Sequence, residues 1–286
     1  MDSPKNPYVV GTAQAMLKNS VTAFLDILGF AAEMKASFED GTAANLLVRL
    51  RSGLSGAYKA FSDDMWGGPI EIKTWEVKAF TDNIVIGYPI YLNEPDAEAE
   101  LGSVLLSVRE YQLKMVDAGF FVRGRISIGQ LYMDNEIVFG NALIEAYTAE
   151  STLARDPRIV LAKSVQPYFE QHLKYYGSPA QSPHNRVLLR DVDGQIFVNY
   201  LGVIFDDDPD DPRLDELAKH KSAIEERLQK HKNEPPIWSK YAWSANYHNF
   251  ICHEQGGRLS RYVIEPDLLR AHPTRLFSLA DSLTDE

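Results

Sequence analysis

Apolar runs, alternations and helical stripes divide the chain into short strands and amphipathic helices. Residues 20–30, "SVTAFLDILGF", are rich in β-branched and large apolar side chains and close on a glycine, which predicts a buried strand and a turn. The stretch 39–65 opens with helix-capping residues. It then spaces Leu46, Leu47, Leu50, Leu54, Tyr58 and Phe61 as a helical stripe, ended by "GGP" at 67–69. Residues 70–80 alternate, with Ile70, Ile72, Thr74, Glu76 and Lys78 on one face and Trp75, Val77 and Ala79 on the other. A strand over 82–91 follows after a short link, so the two form a hairpin. A helix over 96–119 is closed by Gly119. Residues 120–140 read as a long strand, a turn at Asp134-Asn135 and an edge segment; 141–154 is helical, and 157–165 is a strand leading into a helix.

The first 165 residues therefore read β-α-β-β-α-β-α-β, the order of an α+β sandwich with helices on one face of a mainly antiparallel sheet. Residues 166–286 form a less regular extension that completes the sheet and adds a helix. It contains a hairpin over 187–201 turning at Asp193-Gly194, and an acidic loop at 206–212. The helix over 213–232 has Leu214, Leu217, Ile224 and Leu228 as its seam, and an aromatic-rich segment covers 237–251.

Two aspartates break this pattern. Asp26 lies in "FLDILGF" and Asp82 in "FTDNIVIG", each a carboxylate inside an apolar run. Burying one without a partner is costly. In a β-α-β-β-α sheet the first and third strands commonly lie side by side, so the hairpin turn bearing Asp82 falls near the end of the strand bearing Asp26. Two carboxylates in contact repel unless one protonates or a cation sits between them, and magnesium or manganese suits such oxygen donors. The alternative is that Asp82 is an ordinary turn residue and Asp26 a strand-end or capping residue.

Composition narrows the function classes. The chain has 286 residues, 45% of them hydrophobic and 11% aromatic, enough for a full core. A net charge of −11 argues against a general nucleic-acid or membrane-surface binder but not against a nucleotide substrate held through a metal. A lone cysteine, Cys252, excludes an internal disulfide and a paired-cysteine zinc site. With no signal-peptide pattern and no apolar run of about 20 residues, the expected location is cytoplasmic.

Four segments together resemble the class III nucleotide cyclases. "FLDILGF" is similar to their first metal motif and "KAFTD", 78–82, to the second metal segment. "FFVRGRISIGQLY", 120–132, is similar to the following strand, and "VFGNALIEAYTAE", 138–150, to the entry into the next helix. The finer resemblance is to the pyrimidine cyclases of bacterial Pycsar anti-phage defence, which also carry an aromatic C-terminal extension, here "KYAWSANYHNF", 240–250.

The resemblance implies a ferredoxin-like cyclase sandwich over residues 1–165 and a homodimer with shared active sites. It implies a uridylate cyclase making cyclic UMP from UTP, with CTP and cyclic CMP as the alternative, and a separate effector that the messenger activates. A catalytically silent nucleotide sensor is the non-enzyme alternative.

It also implies roles for residues. Asp26, Asp82 and the Ile27 carbonyl would hold two magnesium or manganese ions, and Leu28, Gly29 and Phe30 would cradle phosphates through their N–H groups. Lys78 matches a base-reading lysine, with a surface lysine as its alternative, and Tyr58 is a stacking candidate. The chain departs from purine cyclases at Ile137, which falls on a base-reading position. It departs again at Ile144 and Thr148, where an asparagine and an arginine orient ribose and stabilise the transition state. Another cation must then help, and Arg123, Arg125 and Arg155 are the candidates. Strand alternation puts Arg123 and Arg125 on one face.

Other chemistry finds no support. His220 and His231 are expected on an exposed charged helix and His248 and His253 in the aromatic segment, none with an i, i+4 ligand partner. Ser151 lies in no G-x-S-x-G elbow, and no phosphate loop with Lys-Ser/Thr occurs. The aromatic segment is expected to pack on the sheet or on a partner subunit.

Overall fold

Strand β3 (Lys18–Ile27) forms the centre of the molecule because it alternates two kinds of side chain. Val21, Ala23, Leu25 and Ile27 point into an apolar core, whereas Ser20, Thr22, Phe24 and Asp26 point to the opposite face. The computed structural model describes residues 6–10, 14–61, 74–90, 96–148, 155–206, 212–265 and 276–278. Before β3, the short strands β1 (Val9–Val10) and β2 (Gln14–Ala15) pair with each other.

After β3 come α1 (Phe30–Glu39), α2 (Ala43–Tyr58), β4 (Glu76–Phe80), β5 (Asn83–Pro89), α3 (Glu98–Asp117) and β6 (Val122–Met133). The short β7 (Val138–Phe139), α4 (Asn141–Thr148), β8 (Ile159–Leu161), α5 (Gln166–His172) and α6 (His184–Val187) follow. Then come β9 (Leu188–Asp191), β10 (Ile196–Val198), α7 (Leu214–Lys230), α8 (Pro235–Glu254) and β11 (Leu276–Ser278). The fold is mixed α/β, with an open sheet in the order β11-β9-β10-β8-β6-β3-β5-β4 and β7 pairing β6. Every pairing is antiparallel except β6 with β8. The expected adjacency of β3 and β5 holds, with Asp26 opposite Asn83. The sheet continues past residue 165, since β10 pairs β8 and carries β9 and β11 beyond it.

The two faces of the sheet differ. One is covered along its length by α2, α3 and α5, over Ile84, Ile86, Val122, Ile126, Ile159 and Val198. The other is divided. On β8, β9 and β10, Val160, Leu189 and Phe197 are sealed under the aromatic α8, whose Trp243 and Tyr247 meet Phe197 edge-on. On β4, β5, β3 and β6 the same face carries Glu76, Lys78, Thr22, Asp26, Arg123, Arg125 and Ser127, with α4 laid over part of it.

Two expectations change. The helix expected over 39–65 is α2, which starts after Thr42; α1 precedes that stretch, and Gly41 at φ 71° reverses the chain between the two. Leu46, Leu50, Leu54, Tyr58 and Phe61 meet the core as the stripe predicts, but Leu47 is exposed. Ile70 and Ile72 lie outside the described residues. His220 is not on an exposed face: it takes a seam position with Leu217, Ile224 and Leu228 and is fully buried.

Buried histidines form two hydrogen-bonded chains. The Tyr262 carbonyl can only accept, so His248 donates from Nε2 (2.9 Å) and accepts at Nδ1 from His220 (2.9 Å). His220 Nε2 then accepts from the Tyr200 hydroxyl at 2.7 Å. In the second chain, His172 donates to the Asp96 carbonyl (2.7 Å) and accepts from His184 (3.3 Å). Burial lowers His184 and His248 to about 4, with the neighbouring His172 adding to the shift at His184.

A histidine depressed on folding binds its proton more readily when unfolded. Its stabilisation is therefore present above about 6.5 and lost as pH falls towards 4. At pH 5 this amounts to about 2 kcal/mol for each of the two. Asp117, raised by burial to about 6, offsets part of that loss by stabilising the fold as it protonates. The thermal midpoint is expected to fall by roughly 5–10 °C between pH 7 and pH 5. A midpoint unchanged over that range in differential scanning fluorimetry would contradict the lowered values at His184 and His248.

Candidate functional site

The end of β3 brings together groups from four elements. Asp26, 8% exposed, lies opposite Arg123 of β6 and Asn83 of β5. Its Oδ2 accepts from Arg123 Nε at 2.8 Å, so a guanidinium partners the first of the two anomalous carboxylates. Asp82 sits in the β4–β5 turn, where Thr81 adopts φ 55°. Its backbone carbonyl accepts from Ile27 N–H at 3.2 Å, which fixes the turn against the end of β3 beside Asp26. Its Oδ1 accepts from Thr81 Oγ1 at 2.7 Å and Asn83 Nδ2 at 3.3 Å.

The turn after β3 is held open by backbone geometry. Leu28 N–H donates to the Phe121 carbonyl at 2.8 Å. Gly29 caps α1 at φ 74°, a conformation other residues rarely adopt. Phe30 is buried with its ring edge-on to Phe120 at 6.2 Å. The first-turn N–H groups of α1 therefore emerge next to Asp26 and lack intrahelical acceptors.

Arg125 shares the face of Arg123, as strand alternation requires, and is buried opposite Phe24. Desolvation lowers its pKa while the Glu145 carboxylate of α4 opposes that shift, and its Nε has no hydrogen-bond partner among the described residues. Lys78 also lies on this face, two residues up the sheet from Asp26, but its Nζ donates to the Asp134 carbonyl of the β6–β7 turn at 3.3 Å. Ile137 is exposed in that same turn, where its N–H and that of Glu136 bond Asp134 Oδ1 at 2.8 Å each.

Other predicted positions stand apart. Tyr58 packs against the core on the helix-covered face, away from Asp26. Ile144 is exposed on α4, and Thr148 returns its hydroxyl to the Ile144 carbonyl at 2.6 Å. Arg155 is exposed, with Nε 3.6 Å from Asp156 Oδ1. Asp156 is mostly buried; desolvation raises its pKa and the nearby guanidinium groups of Arg155 and Arg158 oppose the rise.

Sequence reasoning missed Lys240. It sits on α8, half-buried, where desolvation and the positive charges of Arg123 and Arg155 lower its pKa and the carboxylates of Asp156 and Asp26 oppose them. The signal that 235–254 is a helix was Pro235-Pro236 at its start, overshadowed by the aromatic composition.

Among the described residues no three His, Cys, Asp or Glu side chains form a ready metal cluster. The donors at the end of β3 are two carboxylates and a peptide carbonyl. That hard, incomplete oxygen set suits magnesium or manganese, which keep water and phosphate oxygens as their remaining ligands. Among the described residues no helix is long and apolar enough to cross a membrane. Compared with known proteins, the chain matches no family model and no curated protein.

Proposed function

We propose that the chain is a metal-dependent nucleotidyl cyclase, a phosphorus–oxygen lyase with the ferredoxin-like sandwich of the class III cyclases. Its substrate is UTP and its products are 3′,5′-cyclic UMP and pyrophosphate. The observation that carries the reading is the β-α-β-β-α-β order with strands arranged β4-β5-β3-β6, which sets Asp26 and Asp82 at one end of the two central strands. Ile137 in place of a polar base reader favours a pyrimidine, and CTP is the alternative substrate. By its resemblance to Pycsar cyclases the protein works in the cytoplasm and signals infection to a separate effector.

Asp26, Asp82 and the Ile27 carbonyl are the residues that would hold two ions. When bound, these ions supply a lowered pKa for the 3′-hydroxyl and charge neutralisation for the triphosphate. The protein's own part is mostly positioning. Arg123 fixes the Asp26 carboxylate, and the first-turn N–H groups of Gly29 and Phe30 offer donors to phosphate oxygens. Lys78, whose Nζ donates to the Asp134 carbonyl, is the residue that would read the base. Exposed Phe80, Ile137, Phe139, Ile144 and Tyr147, on β4, the β6–β7 hairpin and α4, favour a homodimer that shares its two sites.

Incubating the protein with manganese and each of the four ribonucleoside triphosphates, with product mass spectrometry, tests the reading. Cyclic UMP from UTP alone, from a preparation that light scattering shows to be dimeric, is expected. The silent-sensor reading has one specific observation in its favour, the apolar Ile144 and back-bonded Thr148 on α4. It would prevail if nucleotide bound and no triphosphate turned over.

A further inference from the structure

The turn between β4 and β5 puts an unsuitable residue in a demanding position. Phe80 and Asn83 face each other as its closing pair, which leaves Thr81 and Asp82 as a two-residue hairpin loop. Thr81, the first of the two, takes φ 55°. Hairpin loops of this kind favour glycine there, and a β-branched side chain at positive φ crowds its own backbone. Among the described residues the other non-glycine position with positive φ is Ala97, which has no branch at Cβ.

The threonine hydroxyl supplies what glycine could not. Its Oγ1 lies 2.6 Å from the Phe80 carbonyl and 2.7 Å from Asp82 Oδ1, both of them acceptors for its one hydrogen. Asp82 is thereby fixed twice. Ile27 N–H donates to its carbonyl at 3.2 Å and sets its backbone against the end of β3. Thr81 Oγ1, with Asn83 Nδ2 at 3.3 Å, holds the carboxylate by Oδ1, while Oδ2 accepts no hydrogen bond among the described residues. One oxygen is anchored and the other is left for a ligand, at the end of β3 where Asp26 lies opposite Asn83. A carboxylate that ligates a metal needs such an outer hydrogen bond to keep its orientation.

We propose that Thr81 is a positioning residue: it keeps a strained backbone so that its hydroxyl can aim the Asp82 carboxylate at a divalent cation. The inference rests on the two-ion reading above and deepens it, because it gives the strained turn a part in metal binding.

Thr81 is exposed, so its substitution leaves the core untouched. Manganese titration followed by electron paramagnetic resonance, with no nucleotide present, reads metal affinity, and scanning fluorimetry reads the fold. Thr81→Val keeps the branch and removes the hydroxyl, Thr81→Gly removes both, and Thr81→Ser keeps the hydroxyl. Thr81→Val and Thr81→Gly are expected to weaken manganese binding about tenfold, and Thr81→Ser to stay within about twofold of the unaltered protein. Thr81→Gly is also expected to melt at or above the unaltered midpoint while binding metal less well, which a turn residue needed only for folding would not do. The assignment is overturned if Thr81→Val and Thr81→Gly bind manganese like the unaltered protein, if Thr81→Ser is as weak as Thr81→Val, or if Thr81→Gly melts lower. Any of these leaves the two-ion reading in place so long as the unaltered protein binds manganese and forms cyclic nucleotide. Unaltered protein that binds no manganese would overturn both.

Discussion

Asp82→Ala is expected to lower cyclic nucleotide formation by ~10³-fold or more while the protein stays folded, and Asp26→Asn to do the same. The two substitutions ask different questions. Asp26 is buried and bonded to Arg123, so truncation to alanine would strip a partner from a half-buried guanidinium at a cost of about 1–3 kcal/mol. Asparagine keeps an oxygen for Arg123 Nε and removes only the charge. Among the described residues the Asp82 carboxylate bonds its two chain neighbours, Thr81 and Asn83. The hydrogen bond that ties its turn to β3 is made by its backbone, which alanine preserves. A carboxylate with so little structural work is therefore the sharper probe. If Asp82→Ala turns over near the unaltered rate, Asp82 is a turn residue and the two-ion assignment falls. Circular dichroism and the thermal midpoint separate loss of chemistry from loss of fold.

Asp191→Ala is expected to have the largest effect on stability. Asp191 closes β9 in a buried position, bonded to Arg158 and accepting from Trp243 Nε1. Arg158 is itself buried and bridges on to Asp193 across the hairpin turn. Removing Asp191 leaves the buried Arg158 to the half-exposed Asp193 and takes the acceptor from Trp243 Nε1, at a cost of about 3–5 kcal/mol. For a chain of this size the thermal midpoint should fall by roughly 10–15 °C. Asp193→Ala is the control, because Asp193 is nearly half-exposed and leaves Arg158 bonded to Asp191; its effect should stay near 1 kcal/mol or less. Equal small losses in both variants, measured by denaturant titration, would show that Asp191 does not anchor α8.

The central sheet was legible because its strands obey a period of two. Trp75 and Val77 alternate with Glu76 and Lys78, and β3 alternates Val21, Ala23, Leu25 and Ile27 with Asp26. The β3–β5 adjacency followed from chain order alone. Three features were not legible, each for a physical reason. Leu47 adjoins Leu46 on the α2 stripe yet is exposed, because the spacing of apolar residues does not show how wide the covered face is. His220 falls on the α7 seam at helical spacing, yet a histidine reads as polar unless its partners, Tyr200 and His248, are known from tertiary structure. Lys240 on α8 and Glu145 on α4 belong to helices laid on the sheet, and no local pattern encodes which helix will lie over which strand. Tyr58 shows the converse: its place on the stripe was right, and that place puts it in the core on the opposite face.

The divided face also sets an order in time. Asp26, Asp82 and Arg123 leave the ribosome early, and Lys240 follows more than a hundred residues after Arg123. At about 5–20 residues per second that interval is on the order of ten seconds. Throughout it Val160 and Phe197 lack the cover of α8. A nascent chain would thus form its central strands well before the face over β8 and β10 is sealed.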